Sequence, residues 1–330
     1  MVEADGLLVG PAALDWLAAH LDETDVAASS HWRQEHETFI FENGQFSGLR
    51  GFGHHAAPAR GLRRWVHTAL QRRYRNMAGD LPQFRELDAL TADITARQNR
   101  LYELDALRQA LSLAQILALT PDCLAEDALA VVIGDGFGTM SALILAAAPS
   151  ARVATVNLNK TLLVDLTYAA MTLPPGAYAL ALDREAVNAG LANADIRLLG
   201  IRATDANLVA ALPVSLAVNI ASMQEMRLAD VGAYFDALRS AGGAPTLFYC
   251  CNREKKTLPD GEVIQFADYP WRDDDDVLLD GICPWHQFFY SPIPPFYRPY
   301  AGVVRHRLAR LAPDDGCDPR PHAWQSDDQR

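Results

Sequence analysis

The sequence lacks the features that mark several large classes of protein. It has no run of about 18 apolar residues, the length a membrane-spanning helix requires. Its first residues, Met1-Val-Glu-Ala-Asp5, are acidic and lack the basic segment that opens a secretory leader. The five cysteines, Cys123, Cys250, Cys251, Cys283 and Cys317, are odd in number and form neither a C-x-x-C pair nor a zinc-ribbon spacing. A disulfide scaffold is therefore not expected, and reduced, mostly buried thiols in a cytoplasmic setting fit best. Positive charge is also scarce. With 29 Lys and Arg against 41 Asp and Glu, the net charge is −12, which argues against a general nucleic-acid surface. No internal repeat or long low-complexity segment is present.

What remains is a chain of 330 residues, 50% apolar and 21% charged. That suffices for one large domain with additions or for two domains, each with a real core. Residues 1–125 read as a mainly helical N-terminal region. Apolar spacing predicts one helix over 11–21 and a long one over 87–119, which stops before Pro121. Residues 126–312 read as one domain that alternates strands and helices, with strands over 130–133, 152–158, 196–201, 215–220 and 246–251, followed by a C-terminal extension that departs from this rhythm. Such alternation predicts an α/β fold with a doubly wound, Rossmann-like parallel sheet. Further strands are expected over 263–266 and 303–308, separated by a Pro- and aromatic-rich loop, and the tail over 313–330 is polar and expected to be disordered.

The most informative stretch is Ala130-Val-Val-Ile-Gly-Asp-Gly-Phe-Gly-Thr-Met-Ser141. A buried strand ends in a glycine turn, Gly134-x-Gly136-x-Gly138, and feeds a helix. A dinucleotide fingerprint would place its third glycine at position 139, which is Thr139. That difference favours S-adenosylmethionine (SAM) over a nicotinamide cofactor. Glycines let the backbone press against an adenosyl ligand in the crevice beyond the strand ends.

Three segments, Val131-Val-Ile-Gly-Asp-Gly-Phe-Gly-Thr-Met140, Val156-Asn-Leu-Asn-Lys-Thr-Leu162 and Asn219-Ile-Ala-Ser-Met-Gln-Glu-Met226, carry a family resemblance. They resemble class I SAM-dependent methyltransferases, and within them the sugar O-methyltransferase family. The resemblance implies a SAM-binding methyltransferase domain, with the helical N-terminal region acting as lid, acceptor side or oligomerisation surface of a homo-oligomer. It implies SAM contacts from Gly134, Asp135, Gly136, Phe137, Gly138, Asn157, Asp205 and Asn219. Two departures stand out. Val132 replaces an acid two residues before the first glycine, and Asn157 replaces the carboxylate that often ends the second strand. An amide can still pair with ribose hydroxyls, without the strength of a charged acceptor. Asp135 would then face the methionyl ammonium. Asn157, Asp205 and Asn219 also read as helix caps or turn residues.

Methylating a hydroxyl needs a general base. The candidates are His286, in the aromatic loop Trp285-His-Gln-Phe-Phe-Tyr290, and Glu225, which with Ser222 also spells a capping box. His31, His36 and His306 are further candidates, and His306, next to two arginines, also reads as a structural residue on a late strand. The run Asp273-Asp-Asp-Asp276 cannot aim four carboxylates at one ion and reads as a solvated loop, so no metal is expected. Residues 43–79 hold seven arginines and no acid, which suits solvated pairing or a phosphate on a nucleotide-linked sugar better than nucleic acid. The expected partner is thus a small-molecule acceptor (a sugar, nucleotide-sugar or glycosylated metabolite), with no nucleic acid and no membrane. Transfer to nitrogen or carbon of a small natural product, and a non-catalytic SAM- or partner-binding module, are the alternatives.

Overall fold

The computed structural model describes residues 6–42, 44–49, 57–242 and 245–314. The tail expected to be disordered lies outside these residues beyond Asp314, as do Arg50 of the basic stretch and Cys317.

A nine-stranded sheet organises the chain. In chain order its strands are β1 (Leu7–Val9), β2 (Leu129–Ile133), β3 (Arg152–Asn157), β4 (Tyr178–Ala181), β5 (Leu198–Arg202), β6 (Val214–Ile220), β7 (Leu247–Arg253), β8 (Asp276–Ile282) and β9 (Val304–Arg310). In space they run β1-β4-β5-β3-β2-β6-β7-β9-β8. Strands β4, β5, β3, β2, β6 and β7 are mutually parallel. β9 inserts antiparallel between β7 and β8. The chain steps from β2 to β3 on one side and returns to β6 on the other, so the sheet has a switch point at β2, as the alternating pattern predicts.

The helices are α1 (Pro11–Ala19), α2 (Ser30–His36), α3 (Gly61–Arg75), α4 (Phe84–Arg97), α5 (Leu104–Leu119), α6 (Thr139–Ala147), α7 (Asn159–Ala170), α8 (Arg184–Ala192) and α9 (Leu228–Arg239). Strand β2 is buried on both faces, which is why it reads as a continuous apolar run. Ala130 and Val132 pack into one core with α4, α5, α6 and α7, whereas Leu129, Val131 and Ile133 pack into another with α8 and α9. The N-terminal helices are therefore part of the sheet's own core. Leu7–Val9 even supplies an antiparallel edge strand against β4, which three residues of weak alternation do not announce.

Other departures are local. The helix expected over 87–119 is two, because Asn99 adopts a left-handed φ of 51° and turns the chain between α4 and α5. β4 and β8 were not anticipated. The strand expected over 263–266 is Val263–Gln265, paired with Lys255–Thr257 outside the main sheet. The Asp273–Asp276 run is not a wholly solvated loop. Asp275 is buried and paired with the equally buried Arg239, Nη1 to Oδ1 at 2.6 Å, and also accepts from the backbone N–H of Arg272 and Ala312. Among the described residues, no helix is long and apolar enough to cross a membrane.

Candidate active site

The glycine turn sits where β2 ends. Gly134, Gly136 and Gly138 all take positive φ, at 72°, 85° and 59°, a region that residues with a Cβ rarely enter. Two of them also lack room for a side chain. A Cβ on Gly134 would lie 2.3 Å from Ser222 Oγ, and one on Gly138 would lie 2.7 Å from the Asp165 carbonyl oxygen. The turn is thus held tightly by Ser222, just past β6, and by α7. From the other side, Gln98 donates to the Phe137 carbonyl at 3.2 Å, and Arg100 donates to Thr139 Oγ1 at 3.1 Å. The Arg100 guanidinium lies 3.8 Å over the Phe137 ring.

A cavity of about 270 Å³ opens beside the turn and crosses the carboxyl ends of β2, β3, β5, β6 and β7. One end is lined by Gly134, Gly136, Asn157, Leu158, Ala203 and Ala206. The other is lined by Trp32, Arg108, Gln109, Arg253, His286 and Tyr300, with Ser222, Gln224, Glu225 and Met226 along the wall between. Of the ten residues singled out in the sequence, six reach this cavity: Gly134, Asp135, Gly136, Asn157, Glu225 and His286. Four do not, and each has a physical reason.

Phe137 turns its ring into a separate cluster, edge-on to Tyr168 with centroids 5.3 Å apart. Gly138 is taken up with α7, its N–H donating to Asp165 Oδ1 at 3.2 Å. Asp205 is drawn to Arg202, Nε to Oδ2 at 2.6 Å. Asn219 is fully buried and fully engaged. Its amide donates to the Ile133 carbonyl at 2.9 Å and to Ser222 Oγ, and its Oδ1 accepts from Asn252 Nδ2 at 2.7 Å. It ties β6 to β2 and β7 and does not face the crevice.

Two residues that do reach the cavity are committed elsewhere. Asp135 caps α6, its two oxygens accepting from the N–H groups of Met140 at 2.9 Å and Ser141 at 2.8 Å. Asn157 donates to Asp165 Oδ2 at 2.8 Å, and its Oδ1 accepts from Thr161 Oγ1 at 2.6 Å and Leu158 N at 3.0 Å. Asp165, which pattern reading missed, is thus the hub below the turn. Burial pushes its carboxyl well above the usual range, and the neighbouring Asp135 adds to the rise. A lone acid inside the apolar run Leu162 to Leu166 was the available signal.

Glu225 lies on the cavity wall. Lys256 Nζ donates to its Oε1 at 2.5 Å, and His31 Nε2 stands 3.5 Å from its Oε2. Burial works to raise its pKa, but His31 and Lys256 together outweigh burial and hold the carboxyl below its usual range. The predicted capping box with Ser222 is absent, since Ser222 Oγ donates instead to the Ile133 carbonyl at 3.0 Å. His286, also on the wall, is buried and turns Nδ1 toward two thiols, Cys283 Sγ at 3.2 Å and Cys251 Sγ at 3.7 Å. His306 contacts Tyr249 OH through Nδ1 at 3.1 Å inside the core. Helix α2 docks at the same rim, with Ser29 Oγ donating to the Glu225 carbonyl at 2.5 Å.

Two arginines of helix α3 are engaged, while Arg63, Arg64 and Arg72 are exposed. Arg73 stacks 4.0 Å over Phe288, Arg75 pairs with Asp88 at 2.8 Å, and His67 and Gln71 hold the Tyr290 hydroxyl. The helix anchors the aromatic loop that carries His286.

The chain matches no protein-family profile and no curated protein sequence. Among solved structures it is similar to geranyl diphosphate C-methyltransferase from Streptomyces coelicolor A3(2), at 12% identity and a TM-score of 0.39 over 91% of this chain and 98% of that one. It is also similar to mitomycin 7-O-methyltransferase, at 17% identity and a TM-score of 0.32 over 76% and 68%. A third is the pyocyanin biosynthetic protein PhzM, at 14% identity and a TM-score of 0.33, of which the chain spans 57% while 62% of its own length is matched. At scores and identities this low the likeness assigns no activity to the chain.

Proposed function

We propose that this protein is a methyltransferase that uses SAM and methylates a hydroxyl of a small polyhydroxylated acceptor, a sugar or glycosylated metabolite. The observation that carries this reading is a cavity lined both by the glycine turn and by hydrogen-bonding and aromatic side chains. The adenosyl end fits a nucleoside. Gly134 and Gly136 present bare backbone to the cavity, and Leu158, Ala203 and Ala206 give small apolar walls for a flat ring. The Asn157 amide, already bonded to Asp165 and Thr161, adds little to the ribose hydroxyls, so cofactor affinity rests on shape and backbone contacts.

At the other end Arg253 can donate to a hydroxyl and Gln109 can donate or accept, Trp32 and Tyr300 offer aromatic faces, and Arg108 is held by Asp105 and the Trp285 and Phe288 carbonyls. Bound SAM supplies a methyl group on a sulfonium whose charge vanishes on transfer. Gly134, Gly136, Leu158, Ala203 and Ala206 would hold SAM, whose methyl group would pass to an acceptor hydroxyl oxygen and leave the C–S electrons on sulfur, and Glu225 would take the hydroxyl proton. Lys256 and His31 keep Glu225 ionised and therefore able to take that proton. Alignment of the two substrates in one cavity supplies most of the rate, on the order of 7–11 kcal/mol.

The test is product analysis by mass spectrometry after incubation with SAM and a panel of free sugars, nucleotide-sugars and small amines. Methylated sugar products support the proposal. Products from amines alone replace it with N-methylation. The engaged Asn157 favours one other reading, a non-catalytic adenosyl-binding module, which predicts binding without any product.

A further inference from the structure

Three groups at the end of strands β7, β8 and β9 are not explained by hydrogen bonding alone. Cys251 lies on β7, in register with His306 of β9. Cys283 directly follows β8, its N–H donating to the Val304 carbonyl at 2.9 Å. The 3₁₀ turn Pro284–His286 then brings His286 back over Cys283. Two residues far from each other in sequence and a C-x-x-H step thus converge on one point. All three side chains are buried, and their ligand atoms lie within 4.8 Å of one another.

The distances have a chemical meaning. A tetrahedral zinc ion with Zn–S near 2.3 Å and Zn–N near 2.0–2.1 Å sets its S···N edges at about 3.5–3.6 Å. The observed edges, 3.2 Å and 3.7 Å, bracket that value. Both thiols present sulfur to the same imidazole nitrogen, which is the arrangement a shared ion produces. A lone S–H···N hydrogen bond needs only one of them. Next to the cluster, His306 is fixed by Tyr249, whose hydroxyl also lies 3.3 Å from Ser112 Oγ. Metal sites commonly carry such a supporting layer.

We propose that Cys251, Cys283 and His286 bind a zinc ion. Among the described residues they offer three protein ligands, so one tetrahedral position is left for a water or a hydroxyl. Two cysteines and one histidine with an open position form a catalytic rather than a closed structural set. His286 is part of the cavity wall, and Cys251 and Cys283 are fully buried behind it, so the ion would sit just inside that wall. An oxygen in the fourth position is made more acidic by the metal. That addresses a mismatch in the site, because Glu225 is a weak base for an unassisted hydroxyl. The metal site stands on its own geometry, while its use on an acceptor hydroxyl rests on the methyltransferase reading.

The test is metal analysis of the full chain purified without chelators, with S-adenosylhomocysteine binding measured on the same samples. The expected result is close to one zinc per chain, lost in Cys283→Ser and in Cys251→Ser and retained in Cys123→Ser. Cobalt added to the metal-stripped protein should give thiolate-to-metal absorption, a readout that needs bound sulfur and not activity. Should the serine variants fail to fold, His286→Gln serves instead, with cobalt absorption retained in part and affinity reduced at least tenfold. Zinc well below stoichiometry with no cobalt absorption overturns the proposal, as does a Cys251–Cys283 disulfide found by peptide mapping. Homocysteine-product binding without zinc removes the metal site and leaves the methyltransferase reading. Zinc without that binding does the reverse.

Discussion

Asn157 and Asp165 face each other across the base of the glycine turn, Nδ2 donating to Oδ2 at 2.8 Å. This pair ties the end of β3 to α7 and places the acid below the turn. The carboxyl of Asp165 is raised by burial and by Asp135. The sign follows from proton linkage. Both states hold the proton below about pH 4; above it the unfolded chain releases its proton first, so stability falls as pH rises toward the folded pKa. Unfolding free energies from urea titrations above about pH 4 should therefore decline as pH rises, by at most about 1.4 kcal/mol per unit for one group. Asp165→Asn should flatten that decline. Parallel curves for the two proteins would contradict this account of the pair.

Gly134→Ala tests the turn itself. The new Cβ would meet Ser222 Oγ at 2.3 Å from a backbone φ of 72°. A non-glycine residue held in that region costs about 1–3 kcal/mol before any clash is counted. Denaturant titration should show at least that loss, and binding of S-adenosylhomocysteine should fall more than tenfold. Unchanged binding in a folded variant would remove the turn from the cofactor site.

Arg239 and Asp275 form an ion pair with 1% exposure on each side chain. Removing the carboxylate in Asp275→Ala leaves a buried guanidinium without its charge partner, at a cost of about 3–5 kcal/mol. The pair lies outside the cavity, so the folded variant should bind S-adenosylhomocysteine normally. A loss under 1 kcal/mol, roughly that of a surface pair, would mean that water reaches the pair.

Glu225→Gln keeps the size of the side chain and removes its charge. If Glu225 takes the acceptor proton, kcat should fall by about 10²–10⁴-fold with S-adenosylhomocysteine affinity unchanged. Steady-state kinetics with the best acceptor found, paired with calorimetry, separate the two effects. A drop in cofactor affinity with kcat intact would make Glu225 a binding residue, held in place by Lys256 and His31.

The parallel core was legible in the sequence because β2, β3 and β6 are buried runs flanked by turn residues, and burial on two faces leaves an unbroken apolar signature. The glycine turn was legible for the same local reason. β1 and β8 were not, because both are sheet-edge strands and so lack that uniform burial. The site residues divide along a similar line. Gly134 and Gly136 are fixed by backbone geometry, which sequence encodes directly. Asn157, Asp205 and Asn219 lie at or just past strand ends as expected, but their side-chain partners, Asp165, Arg202 and Asn252, decide where each amide or carboxylate points. The Cys251–Cys283–His286 convergence was invisible to spacing rules because one ligand comes from a different strand.

The central claim is that the cavity at the end of β2 holds the adenosyl group of SAM. Calorimetric titration with S-adenosylhomocysteine, with NADH as the control, tests it most directly. The account predicts micromolar, near-stoichiometric binding of S-adenosylhomocysteine and no heat from NADH. Binding of NADH, or of neither ligand, would contradict it.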